Sequence, residues 1–434
     1  MSGTPPQESP DSPGLLPPAA AATVTRIAVA VLGTLPAIFV RVTGAELAPG
    51  WALLVFGLGV LSSAVLLMWA AETARADISG SLALAILAFI AVLPEYAVDL
   101  YFAYTAGSRP EYGAYAAANM TGANRLLVGV GWPMVALAAL VAARRWRKAR
   151  GDDGRVSATV TLEPHRRIDV AFLAVAAVFS FVMPLTREIG WYVAAIAIPW
   201  YGYYLFRISR CSSADLEELQ GVPARLALFP TVRRRLTTAG LFLGAAAVIF
   251  VCAEPFANSL ITSGTRFGID RFLLVQWVAP LASEAPELIV AVVFAWRLRA
   301  SDGLGALLSS KVNQWTLLVG CLPLAHAIGG GGASLPLVTR QVDEVALTAA
   351  QTLLAVSVLL NLRFAPWQAA GLFALFAAQF ALPDESSRMI LMWVYLGLAL
   401  VLTALNTGQL RPTFRAIAGH VPGDPHHSVR SAGS

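Results

Sequence analysis

A chain of 434 residues that is 57% hydrophobic and only 13% charged, with a mean hydropathy of +0.66, lies far from the roughly 25% charged residues of soluble domains. It reads as an all-α polytopic membrane protein partnered by a lipid bilayer. Its formal charge of +5 does not imply nucleic acid, because the basic residues fall in short segments between apolar spans, where they report orientation. Cys211, Cys252 and Cys321 have neither metal-binding nor redox spacing, which excludes a disulfide framework.

Residues 1–22 are proline-rich, lack the basic start of a signal peptide and form an expected disordered tail. A first, interrupted span follows at about 24–43. Apolar windows then recur near 51–73, 79–106, 113–143, 168–186, 189–207, 237–259, 269–298, 303–333, 343–361, 366–382 and 387–406, each long enough to cross a bilayer if helical. That predicts about twelve transmembrane helices. With an inner amino terminus, the inner segments carry 22 Arg and Lys residues and the outer ones seven. This bias predicts a multi-pass protein of the plasma membrane with both termini in the cytoplasm. The arginine-rich segments at 144–150 and 233–235 read as topology determinants, with anionic lipid as the sharper alternative.

Charges inside the spans are the costly features, and an intramembrane ionisable residue is a functional-site hypothesis by default. Glu284, Glu287 and Lys311 lie within the apolar stretch 281–320, and Pro280 and Pro286 flank the acids. Proline breaks the helix ladder, and an interrupted helix at mid-membrane exposes backbone to ions. Asp99 follows Glu95 by four residues and Glu284 precedes Glu287 by three, so each pair shares one helix face. Only Lys148 and Lys311 are lysine among 31 basic residues, which makes a buried lysine unlike the chain's usual choice.

The chain repeats itself. Leu93-Pro94-Glu95 and Ala285-Pro286-Glu287 lie 192 residues apart, and Leu126-Leu127-Val128-Gly129 returns as Leu317-Leu318-Val319-Gly320 at an offset of 191. Five spans separate equivalent points, and an odd number forces the second half through the membrane upside down. Two inverted five-helix repeats result, with one extra helix at each end. The expected boundaries are 1–22 for the tail, 23–50 for the first extra span, 51–207 for the first repeat and 208–236 for a basic cytoplasmic loop. The second repeat follows at 237–382, the second extra span at 383–410 and a cytoplasmic tail at 411–434.

On these motifs the chain resembles a divergent, bacterial-type member of the sodium/calcium exchanger (cation/calcium exchanger) superfamily, whose two repeats each pair a G-T-S-x-P-E helix with a G-S-N-x-x-N/D helix. Each Pro-Glu is kept here, while most of the small hydroxyl residues before it are replaced. In that register Ser310 falls on the family serine, Lys311 on the first asparagine and Gln314 on the second Asn/Asp. In the first half Asn119 falls on the first asparagine and Gly122 on the second, with Asn124 a substitute if two residues are inserted.

The resemblance implies a transporter and not an enzyme: a secondary active antiporter that exchanges sodium or calcium against protons, or calcium against sodium, by alternating access. It implies no cofactor, since cations and protons are substrates. Glu95 and Glu287 are the expected shared ion ligands, facing each other across the pseudo-twofold axis. Asp99, Glu284, Asn119, Ser310 and Gln314 are further candidate ligands, the two acids also as proton relays or counter-charges.

Lys311 and Arg125 depart from the pattern as counter-charges. Lys311 has three readings: paired with Glu287 or Glu284 while filling one cation subsite, acting as a proton carrier, or forming a static salt bridge. Arg125 stays charged and reads as a fixed, structural counter-charge. The alternative function is a non-transporting scaffold or sensor whose site Lys311 and Arg125 have closed.

Overall fold

The computed structural model describes residues 20–74, 76–77, 93–149, 159–210, 219, 221–266, 271–381 and 385–419. Helix α1 (Ala20–Thr43) precedes a first half made of α2 (Pro49–Ala74), α3 (Leu93–Ala106), and α4 (Tyr112–Leu126), which runs through a π-helical turn (Leu127–Gly131) into α5 (Trp132–Ala149). Strand β1 (Val160–Thr161), α6 (Arg167–Phe179), the short α7 (Val182–Thr186), strand β2 (Glu188–Gly190) and α8 (Trp191–Ser209) complete it. After α9 (Val222–Ala227), the second half comprises α10 (Thr231–Arg266), α11 (Arg271–Trp296) and α12 (Ala300–Asn313), which passes through a second π-helical turn (Gln314–Leu318) into α13 (Val319–Ile328). Strand β3 (Ser334–Pro336), α14 (Thr339–Leu359), strand β4 (Arg363–Phe364) and α15 (Pro366–Ala381) follow, then α16 (Glu385–Leu405) and α17 (Thr407–Ile417).

The duplication and its inversion are visible in the four short strands, which the all-helical expectation lacked. β1 pairs with β4 and β2 with β3, both antiparallel. β1 precedes α6 and β4 follows α14, whereas β2 follows α7 and β3 precedes α14. Each little sheet therefore joins the start of one half's fourth span to the end of the other's. That is possible only if these equivalent helices run in opposite directions. Arg187 (φ 58°) and Leu362 (φ 57°) stand immediately before β2 and β4, and a left-handed backbone at a non-glycine residue is uncommon enough to mark common descent of the two turns.

Large apolar side chains point outward, as at Phe39, Leu54, Phe250, Trp393 and Leu400; this suits lipid, which needs no polar covering. Polar and charged groups instead lie inside, among them Glu95, Asp99, Arg125, Glu284, Lys311 and Glu344. α2 packs along α10, α1 covers α2, α11 lies between α4 and α12, and α16 covers α14.

Among the described residues, seven helices are long and apolar enough to cross a membrane, or eight with the bent pair 273–285 and 287–296 taken as one, against about twelve spans expected. The difference has physical sources. The span at 79–106 falls partly outside the described residues, α15 has only 16 residues, α8 is diluted by its Trp and Tyr residues, and the span at 303–333 carries Lys311, Asn313 and Gln314 at its centre. Of the expected tail at 1–22, residues 20–22 already belong to α1, and residues 1–19 lie outside the described set. The segment after 410 continues as α17, held to α6 and α8 by Arg167 Nη2 donating to Gln409 Oε1 at 2.8 Å and Arg207 Nε donating to the Ile417 carbonyl at 2.9 Å.

Candidate ion site

The helix expected to break at the acidic cluster does so: α11 bends by 55° between its 273–285 and 287–296 segments, at Pro286, whose nitrogen cannot donate to the ladder. Glu287 thus heads a helical segment, and Glu95 lies in the first turn of α3. Both places favour negative charge, because unpaired N–H groups and the helix dipole point there. Asp99 follows one turn after Glu95 on the same face and is fully buried.

Opposite these acids stands the α12 π-helical junction. A π turn shifts the ladder by one residue and is frequent at functional sites. Gln314, its first residue, donates Nε2 to Glu95 Oε2 at 2.9 Å and to Glu284 Oε1 at 2.5 Å. One amide nitrogen therefore joins a carboxyl of the first half to a carboxyl of the second. One residue earlier, Asn313 Oδ1 accepts from the Tyr96 hydroxyl at 2.8 Å. Ser310 Oγ donates to Glu287 Oε2 at 2.6 Å, and Asn119 Nδ2 donates to Asp99 Oδ1 at 2.9 Å.

The structure thus brings Glu95, Glu284 and Gln314 together directly, with Asp99–Asn119 one turn along α3 and Glu287–Ser310 one turn along α11. Glu95 meets Glu284 both directly and through Gln314, while Glu287, the partner expected across the axis, meets Glu284 and Ser310. Buried oxygens without a hydrogen-bond partner remain on Glu95 (Oε1), Asp99 (Oδ2), Asn119 (Oδ1), Glu284 (Oε2) and Gln314 (Oε1). Buried polar atoms are rarely left unpaired. These five acceptors come from both halves, and oxygens of this kind are the donors a hard cation takes. Among the described residues no three His, Cys, Asp or Glu side chains gather closely enough to hold a metal ion by themselves.

Lys311 sits one turn before Gln314 on the same helix face. Its Nζ donates to both the backbone carbonyl and Oδ1 of Asn124, each at 2.9 Å, and lies 5.1 Å from the centre of the Trp315 ring. Among the described residues it makes no ion pair with Glu284 or Glu287, so the salt-bridged arrangements expected for it are not the ones adopted. Asn124 is the nearer acceptor, and Gln314 already covers the facing oxygen of Glu284. Arg125 also turns elsewhere. It pairs with Glu344 through Nη2, donates Nη1 to Gln379 Oε1 at 2.7 Å and stacks on Trp277 at 4.9 Å.

The model of the sodium/calcium exchanger protein family matches residues 48–209 and 237–382. The crystal structure of the H+/Ca2+ exchanger CAX is 40% identical to this chain, covering 91% of it and 98% of CAX, with a TM-score of 0.85. The chain belongs to the sodium/calcium exchanger family. Within that family the native structure of YfkE is 12% identical over 86% of this chain and 99% of its own, with a TM-score of 0.57. The sodium-calcium exchanger NCX_Mj, soaked with sodium and strontium, is 17% identical over 77% and 99%, with a TM-score of 0.51. These two likenesses concern the fold alone. No curated protein matches the chain.

Membership explains the spacing of the junction residues. Gly122, at the register position of Gln314 in the other half, carries no donor; a Cβ there would lie 1.7 Å from the Gln276 carbonyl oxygen. The exchanger's first half thus uses this position for close helix approach, and its second half uses it for an amide. Sequence reasoning missed Glu344, which is buried and receives Arg125, Arg388 and, at 2.9 Å, Gln276 Nε2. It also missed Asp169, buried against Arg166 and bonded by Tyr204 at 2.8 Å. Asp169 and Glu344 lie 175 residues apart, the same offset as the left-handed Arg187 and Leu362, a spacing that only the backbone conformations bring out.

Proposed function

We propose that the protein is a secondary active cation antiporter of the plasma membrane, with both termini cytoplasmic, that exchanges calcium against protons by alternating access of the two inverted halves. The observation that carries the reading is Gln314 joining Glu95 to Glu284 across the halves with five acceptor oxygens left over around them. Rocking of one half against the other would have to break or re-form that link, as alternating access around a fixed site requires. Glu95, Glu284 and Asp99 are the acids of the site, with Glu287 reached through Ser310. Asn119 and Gln314 add neutral oxygens. The same carboxyls bind either a cation or protons, which couples the two fluxes.

Calcium and protons are put first because CAX, 40% identical, is an H+/Ca2+ exchanger. Sodium in place of either ion is the nearest variant. The scaffold reading loses support from Arg125, which is engaged by Glu344 and Gln379 away from the acids.

The test is counterflow in proteoliposomes with calcium, sodium, potassium and pH gradients varied separately. An outward proton gradient is expected to accelerate calcium uptake, and Glu95→Gln or Glu284→Gln to abolish it. Flux that is insensitive to every opposing gradient would mean a channel, and no flux at all a scaffold.

A further inference from the structure

Lys311 is the buried charge that the exchange reading leaves without a task. Its Nζ donates to two oxygens of a single residue, Asn124 O and Oδ1, both at 2.9 Å. A carbonyl and an amide oxygen on one ion are the ligand chemistry a mobile cation takes, and here the occupant is covalently attached. The Trp315 ring covers the same ammonium at 5.1 Å, a cation–π contact that adds a third favourable partner without adding charge.

The two halves differ at this point. Asn119 is the residue equivalent to Lys311 at the 192-residue offset, and it presents a neutral amide whose Oδ1 is buried and unpartnered. One half therefore offers an oxygen ligand where the other installs a positive charge, one helical turn from the amide that bridges Glu95 and Glu284. Arg125 does not duplicate this role, since Glu344 compensates it.

We propose that Lys311 is a tethered cation, a specificity-determining residue that permanently fills one cation subsite at Asn124 and thereby sets how many mobile positive charges the site accepts. The inference rests on the ion-site reading above. By Coulomb's law a unit charge held one helical turn from Gln314, the amide that bridges the two carboxyls, opposes each further cation, and the lysine cannot leave when the site opens. The exchanger then carries one positive charge fewer per turnover than its acids alone would admit.

The test is equilibrium binding of calcium and of sodium to the purified full-length protein, by isothermal titration, for wild type, Lys311→Met, Lys311→Gln and Lys311→Arg. The neutral variants are expected to bind one additional sodium ion per chain, or calcium about tenfold more tightly, while Lys311→Arg keeps the wild-type count. Unchanged stoichiometry and affinity in a folded neutral variant would overturn the proposal. So would failure of both neutral variants to fold while Lys311→Arg folds, which would make the lysine a packing charge. Glu95→Gln separates the two layers: if it leaves calcium binding intact, the ion-site reading fails. If it abolishes binding while the neutral lysine variants behave as wild type, only the tethered-cation inference fails.

Discussion

Arg125 of the first half and Glu344 of the second form an ion pair with both side chains buried, 2% and 1% exposed. Arg388 from α16 closes the same carboxylate from its other oxygen, and Gln276 adds a further donor. The extra carboxy-terminal span is thereby tied electrostatically to the junction of the two repeats. Breaking a buried pair from one side strands an uncompensated charge and costs about 3–5 kcal/mol. Glu344→Gln and Arg125→Met are each expected to lower unfolding stability in detergent by that order. The double variant should lose less than the two singles combined, because it leaves fewer stranded charges. Additive losses in chemical denaturation would contradict this.

Ser310→Ala removes the 2.6 Å bond to Glu287. Hydrogen bonds to charged groups contribute about 1.5–3 kcal/mol. The variant should fold and show calcium affinity reduced about tenfold or more in titration. Wild-type affinity would place Glu287 outside the cation's surroundings.

Gly122→Ala places a Cβ 1.7 Å from the Gln276 carbonyl oxygen, whereas a Cβ at Gly202 meets nothing within 4 Å. Backbone cannot yield as a side-chain tip can, so the first change is expected to cost at least the ~1–3 kcal/mol of an overpacked core. Gly202→Ala, in a helix interior, should be neutral or stabilising by up to ~1 kcal/mol. Thermal melts of the two variants against wild type check the contrast. Equal melting temperatures would mean that α4 and α11 are less closely seated.

Asp77, beyond the end of α2, receives Arg234 through two bonds of 2.6 and 2.7 Å and Arg235 through one of 3.2 Å. The Arg234 bonds, with the neighbouring charges, hold its carboxyl below the ordinary value despite opposing desolvation. A lowered folded-state value gives a contribution fully present above the usual aspartate pKa of ~4 and lost as pH falls through the lowered one. Protection of the amides at residues 231–236, measured as exchange relative to the intrinsic rate at each pH, should therefore fall on acidification below about pH 4 in wild type. Asp77→Asn should show the lowered protection already at neutral pH. A pH-independent difference between the two proteins throughout the acid range would remove Asp77 as the titrating group.

Much of this exchanger was legible in one dimension. Hydrophobic run length and charge spacing are local properties, so the membrane class, the duplication, the odd count of spans that inverts it and the bend at Pro286 came from residue order. So did the anomaly of Lys311, since a buried lysine stands out in a chain that otherwise uses arginine. Partner choice between segments some 200 residues apart was not legible. Whether Glu95 faces Glu284 or Glu287 depends on how α11 is rotated, and one residue along a helix turns a side chain by about 100°. The π-helical turns alter that phase locally, so extrapolating a helix face past residue 314 puts later side chains on the wrong side. Glu344 drew no notice in the sequence, and only folding set Arg125, Arg388 and Gln276 around it. Lys311 had three readings by sequence, with Glu287 or Glu284 as its named partners, and only the folded chain gave it Asn124. Composition and order determined which charges enter the membrane; the tertiary structure decided which of them meet, because that depends on helix rotation and distance.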